Sequence, residues 1–167
     1  MILPVIISIG IIIVTIFIHG YGTIRWVVFM QGNLSRPGYH WSFNKAMYTV
    51  SYTAIVLMMM HFLEIAIWAV AYLALPEIKN LASFEEAIYF SLVTYTTVGY
   101  GDITLVPRWR IMCGFEAMNG ILLFGWSTTL FFAILTRILG ELKGLKSIIN
   151  KKDQYKSANY LKSGHKE

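Results

Sequence analysis

Charge is what this sequence has least of. Asp, Glu, Lys and Arg make up 14% of its 167 residues, against 56% hydrophobic residues, where a soluble domain carries roughly 25% charged ones. So few charges do not cover a water-facing surface, and the mean hydropathy of +0.58 places the chain in a membrane before any motif is read. Cysteine is nearly missing too. Cys113 stands alone, which excludes an intrachain disulfide, and it has no CxxC or His-spaced partner for zinc; it reads as a small apolar helix residue. No nucleotide-binding loop, nucleophile constellation or strong metal motif is present, which argues against an enzyme and against a resident cofactor. Acids are scarce at the C-terminal end, where eight Lys/Arg from Arg137 onward face Glu141, Asp153 and Glu167. With no nucleic-acid motif beside it, a basic run that follows an apolar helix is expected to meet anionic lipid rather than nucleic acid.

What is abundant is apolar sequence in long runs. "ILPVIISIGIIIVTIFI" covers Ile2 to Ile18 and continues through "HGYGTIRWVVFM" to Met30; a second run covers Ala46 to Leu75 and a third Arg110 to Leu139. Each supplies the roughly 20 apolar residues that a membrane-crossing helix needs. The resulting divisions are an N-terminal span over 1–30, a Gly/Pro/Asn/Ser-rich loop over 31–45, a module over 46–139 and a basic tail over 140–167. The first run has no basic start, is long, and is followed by no small-residue cleavage site, so a retained span is expected rather than a signal peptide. Arg25, Arg36 and Lys45 lie around the first loop, and the tail is basic. Three spans with the N-terminus outside put both on the cytoplasmic side and leave Lys79, Arg108 and Arg110 outward.

The segment between the second and third runs is the informative one: "PEIKNLASFEEAIYFSLVTYTTVGYGDITLVPRW". Ser83 with Glu86 three residues on has the spacing of a capping box. A helix from Phe84 to about Thr96 is only about 20 Å long at 1.5 Å per residue, too short to cross. It is expected to enter the membrane and return. Backbone at membrane depth survives only where protein, water or ions satisfy it. An extended run over Thr97, Val98, Gly99, Tyr100 and Gly101 with its carbonyls on one side would be a ladder of oxygen ligands. Side chains with a Cβ resist that geometry, which gives Gly99 and Gly101 a steric reason.

"TVGYG" is also the selectivity-filter sequence of potassium channels, so ion coordination is assigned here by resemblance as well as by chemistry. From Ala46 to Leu139 the chain resembles the two-helix pore module of that superfamily, with an extra N-terminal span. The resemblance implies an all-α membrane protein: three transmembrane helices plus a re-entrant pore helix and selectivity-filter loop, assembled as a homotetrameric channel in the plasma (inner) membrane. It implies K⁺ as the transported ion, bound at Thr97, Val98, Gly99 and Tyr100, with Gly101 completing the filter and Thr96 and Asp102 supporting it. Tyr100 would act as a spacer against neighbouring pore helices. Gly120 and Gly125 in "NGILLFG" fall where the family's inner helix bends and packs closely; Ile121 and Phe124 would face a central cavity, with Thr129, Ala133 and Thr136 nearer the cytoplasm. Val93 stands where some channels carry a glutamate that braces the filter aspartate, so that brace is absent. No regular Arg-x-x-Arg series marks a voltage sensor. Two rival functions share the architecture: a weakly selective cation channel, and a non-conducting sensor or assembly subunit.

Several polar residues sit inside the apolar runs. His61 and Glu64 are three apart on one helical face, and Glu116 and Asn119 repeat the spacing in the third run. Ionisable groups at such depth are rare and usually partnered. Glu64 and Glu116 fall at similar depth and are expected to approach each other, and His19 to approach His61. Three readings stay open: a structural hydrogen-bond network, a proton-sensitive gating site, or a metal site built on His-x-x-Glu. Trp41 and Trp109 are expected at the membrane interfaces. Glu85 and Glu86 read as partners of a helix start or as a local attractor of cations.

Overall fold

The computed structural model describes residues 2–34 and 42–163. Among these residues the regular elements are four helices: α1 (Ile2–Leu34), α2 (Phe43–Leu73), α3 (Phe84–Tyr95) and α4 (Ile111–Ser163). Three stretches are long and apolar enough to cross a membrane, Ile2–Gly32, Phe43–Leu73 and Ile111–Leu142. The short α3 packs against α2 and α4, while α1 packs against α4 and α2 from the far side. The helix ends differ from the expected divisions. α1 runs on to Leu34 and α2 begins at Phe43, so helix covers both ends of the expected 31–45 loop, and the tail continues α4 as helix to Ser163. Extending a nucleated helix adds a bond for each residue fixed, so polar sequence follows the membrane segment with little resistance. Arg36 and Trp41 lie outside the described residues, as do 164–167. The lipid contact expected of the tail lysines falls on side chains that are likewise outside the described ones.

Burial on α1 is the reverse of a soluble helix. Its covered face carries Ser8, Thr15, His19, Thr23 and Trp26, while Ile6, Ile9, Ile13, Phe17, Ile24 and Val28 are exposed. The periodicity of three, four and seven keeps the covered set on one face. Lipid is as apolar as isoleucine, so helices in a membrane meet through small and hydroxyl residues rather than through apolar ones. The Thr15 hydroxyl accepts from Asn119 Nδ2 of α4 at 2.8 Å, one of the links that hold α1 to the remaining helices.

The core lies between α2, α3 and α4. Trp68, Ala69 and Tyr72 of α2, Ala87, Phe90 and Tyr95 of α3, and Leu105, Trp109 and Met112 near the start of α4 are buried together. Trp109 is therefore a core residue. Its indole N–H donates to Glu77 at 3.0 Å, and Glu77 also pairs with Arg108 at 2.9 Å. These bonds tie the connection before α3 to the one after it. α3 starts as expected at Ser83, whose hydroxyl accepts from the Glu86 N–H at 3.1 Å; the Glu86 carboxylate accepts from the Ala82 N–H at 2.7 Å.

Candidate functional site

α3 ends at Tyr95 with Thr96 as its C-cap, and the chain turns back at once. The Thr96 N–H donates to Leu92 O at 3.1 Å, Thr97 N–H to Thr94 O at 2.9 Å, and Gly99 N–H to Val93 O at 3.2 Å. The Thr96 hydroxyl donates to Leu92 O at 2.6 Å. These bonds fasten the loop to the last turn of the helix. Among the described residues, positive φ is found at Thr97 (63°), Gly99 (56°) and Gly101 (78°). They are alternate residues. An extended chain whose φ changes sign at each residue directs successive carbonyls to the same side, whereas an ordinary strand alternates them. A row of carbonyl oxygens of that kind suits a cation that has shed its water.

The glycines are required by conformation and not by crowding. A Cβ built on Gly99 or Gly101 would meet nothing within 4 Å, but the left-handed region is open to glycine and resisted by other residues. Thr97 occupies the region despite its β-branched side chain, a strain on the order of 1–3 kcal/mol that the surrounding bonds must hold. The loop lies on the outside of the single chain: Val98 is 52% exposed and Tyr100 71%.

Asp102 follows the loop. Val93 is buried and offers it no partner, as the sequence implies, but a brace exists from another residue: the Tyr89 hydroxyl, one turn earlier on α3, donates to Asp102 Oδ2 at 2.7 Å. That bond holds the exposed Asp102 carboxyl below the usual carboxylate range. Sequence reasoning misses Tyr89 because its role depends on the loop folding back over α3.

The inner-helix residues separate. Ile121, Gly125, Thr129 and Ala133 line an exposed groove on α4 with Trp126. Phe124, expected on that same face, turns inward: its ring lies 4.4 Å from His61 and 5.5 Å from Tyr95, centroid to centroid. At 3.6 residues per turn, 124 lies about 60° from 121 but about 100° from 125 and about 140° from 129. At Gly120, a Cβ would overlap the Tyr95 carbonyl oxygen. Close approach of α4 to the end of α3 accounts for this glycine.

The buried polar residues form three groups, not one. Glu64 is fully buried and receives three partners: His19 Nδ1 at 2.7 Å, His61 Nδ1 at 3.1 Å and the Tyr95 hydroxyl at 2.6 Å. Ser127 of α4 lies 2.9 Å from His61 Nε2 and 3.2 Å from His19 Nε2. Glu116 does not join them. It accepts from Tyr72 at 2.7 Å, so the expected approach of Glu64 and Glu116 is replaced by a tyrosine partner for each. Asn119 pairs with Thr15 instead. His19 does come to His61, with ring centroids 5.2 Å apart. Tyr72, Tyr95 and Ser127 carry no signal in the sequence beyond a polar atom on an apolar helix.

Two long helices flanking a short one that enters, turns at a glycine-rich loop and leaves define a pore-loop channel, and with three apolar spans this is an integral membrane protein. The family model described as an ion channel matches residues 55–137, from within α2 through α3 and the loop into α4. The chain belongs to the pore-loop ion-channel superfamily. No curated protein and no solved structure gives a significant match.

Proposed function

We propose that the chain is one subunit of a potassium-selective channel that conducts passively. The observation that carries this reading is the alternation of positive φ at Thr97, Gly99 and Gly101 within "TVGYG". It supports a filter in which the carbonyls of Thr97, Val98, Gly99 and Tyr100 replace the hydration shell of K⁺, with Thr96 and Asp102 holding its ends. One chain supplies one row of oxygens, and enclosing an ion takes four, so the working unit is a homotetramer around the loop. The exposure of Val98, Tyr100 and the α4 groove supports it, since these are the surfaces that neighbouring copies would cover. Basic residues around the first loop and along the tail support a reading in which both lie on the cytoplasmic side of the plasma (inner) membrane, against anionic lipid, with the filter mouth outside.

The test is flux from liposomes holding the purified protein. K⁺ should leave far faster than Na⁺, and Gly99→Ala should abolish K⁺ flux or its preference over Na⁺, because a Cβ opposes φ of 56°. Equal K⁺ and Na⁺ flux in the wild type would favour a weakly selective channel, and no flux a non-conducting subunit.

A further inference from the structure

The pore leaves one buried cluster without a role. Near the middle of the three spans, His19 of α1, Glu64 and His61 of α2 and Ser127 of α4 close a ring. Glu64 Oε1 lies 2.7 Å from His19 Nδ1, and His19 Nε2 lies 3.2 Å from Ser127 Oγ. Ser127 Oγ lies 2.9 Å from His61 Nε2, and His61 Nδ1 lies 3.1 Å from Glu64 Oε2. All four residues are buried.

Each contact requires one proton between its two heavy atoms. Four contacts therefore take four protons. An ionised carboxylate, two neutral imidazoles and one hydroxyl bring only three. With three, one contact always lacks its proton: when both Nδ1–H groups point at the carboxylate, both Nε2 atoms are bare and the single Ser127 proton serves one of them. The other Nε2 then faces an oxygen lone pair, and that bond is left unmade. A fourth proton removes the conflict in either of two ways. One imidazole becomes imidazolium beside the carboxylate, or Glu64 is protonated and every member donates once around the ring. Both arrangements are neutral. The three-proton ring keeps a net negative charge at membrane depth, where charge is disfavoured. Hydrogen bonding and charge favour the same count.

We propose that His19, Glu64, His61 and Ser127 form a binding site for one additional proton, which ties the first span to the pore module. The count rests on the fold and not on which cation the loop conducts. A metal ion suits the geometry less well. His19, His61 and Glu64 each present a ligand atom, but tetrahedral bonds of about 2.0–2.1 Å hold their ligands about 3.3 Å apart, and the 2.7 Å between His19 and Glu64 is a hydrogen-bond length. Among the described residues, Tyr95 of α3 is the further titratable group in contact with the ring, donating to Glu64 Oε2. Glu116 of α4 is bonded to Tyr72 and not to the ring. Phe124 and Trp126 flank the two imidazoles. Alkaline pH removes the fourth proton, charges the ring and breaks a contact. Because Tyr95 shares the Glu64 carboxylate and leads directly into Thr96 and Thr97, that break reaches the loop, and current falls.

Nitrogen-15 NMR of labelled histidine tests the count in the full chain in bilayers, with His40→Gln and His165→Gln so that only the two buried rings report. At pH 7 one Nε2–H is expected between the two rings; two bare Nε2 atoms would overturn the proposal. Raising the pH should remove that signal together with the current. Ser127→Ala should lose the alkaline fall in current and Ser127→Thr, which restores a hydroxyl, should regain it. An unchanged pH profile in Ser127→Ala would overturn the link to conduction.

Discussion

Gly99 and Gly120 are the same residue type held for opposite reasons, and substitution separates them. At Gly99 the backbone is left-handed and the space around a Cβ is open; at Gly120 the conformation is helical and the Tyr95 carbonyl occupies the space. Gly99→Ala is expected to leave the helices intact while changing permeation. Gly120→Ala should force α4 off α3 and lower stability by about 1–3 kcal/mol, read as an earlier loss of the folded oligomer on heating in detergent. Equal melting of Gly120→Ala and wild type would contradict the close approach. Asp102 gives a pH prediction. The Tyr89 hydroxyl lowers its carboxyl, so the bond contributes above the ordinary carboxylate range, about 3.9, and is lost only as pH falls through the lowered value. Lowering the pH on the filter-mouth side to about 5 should therefore leave the Asp102 contact and its support of current intact, and Tyr89→Phe should move the acid loss of current to higher pH. Identical acid profiles would remove Tyr89 from the mouth. "TVGYG" is legible because its torsional demand is local and written in glycines. Tyr89 is not, because hydroxyl partners depend on where a loop lands.

Among the elements, the three spans were readable from apolar length, and α3 from its cap and its shortness. What the runs do not encode is rotation and pairing. Lipid asks only that one face be apolar, so the exposed isoleucines of α1 mark its outside, while His19 shows nothing of the Glu64 that meets it 45 residues away. Phe124 illustrates the same limit on α4: its spacing from Ile121 fits one face, yet an aromatic ring packs against His61 and Tyr95 in preference to the groove. Cysteine accessibility reads the rotation. In a background lacking Cys113, cysteines at Ile121, Thr129 and Ala133 should react with water-soluble thiol reagents and block current, and one at Phe124 should not. Reaction at 124 with silence at 129 and 133 would mean that α4 is turned the other way.

In the whole molecule, a single chain is incomplete as a pore. Its loop, Tyr100 and the α4 groove face outward without cover, while α1 is fastened to the pore helices through Thr15–Asn119 and the ring around Glu64. The first span is thus built into the pore's frame, which places the buried proton site where it can act on the loop through Tyr95. We propose that four loops of alternating torsion select K⁺. The most direct measurement is the reversal potential of the purified channel in a planar bilayer, with K⁺ on one side and Na⁺ on the other. A potential displaced strongly toward that expected for K⁺ alone, and lost in Gly99→Ala, is the predicted result; a potential near zero in the wild type would contradict it.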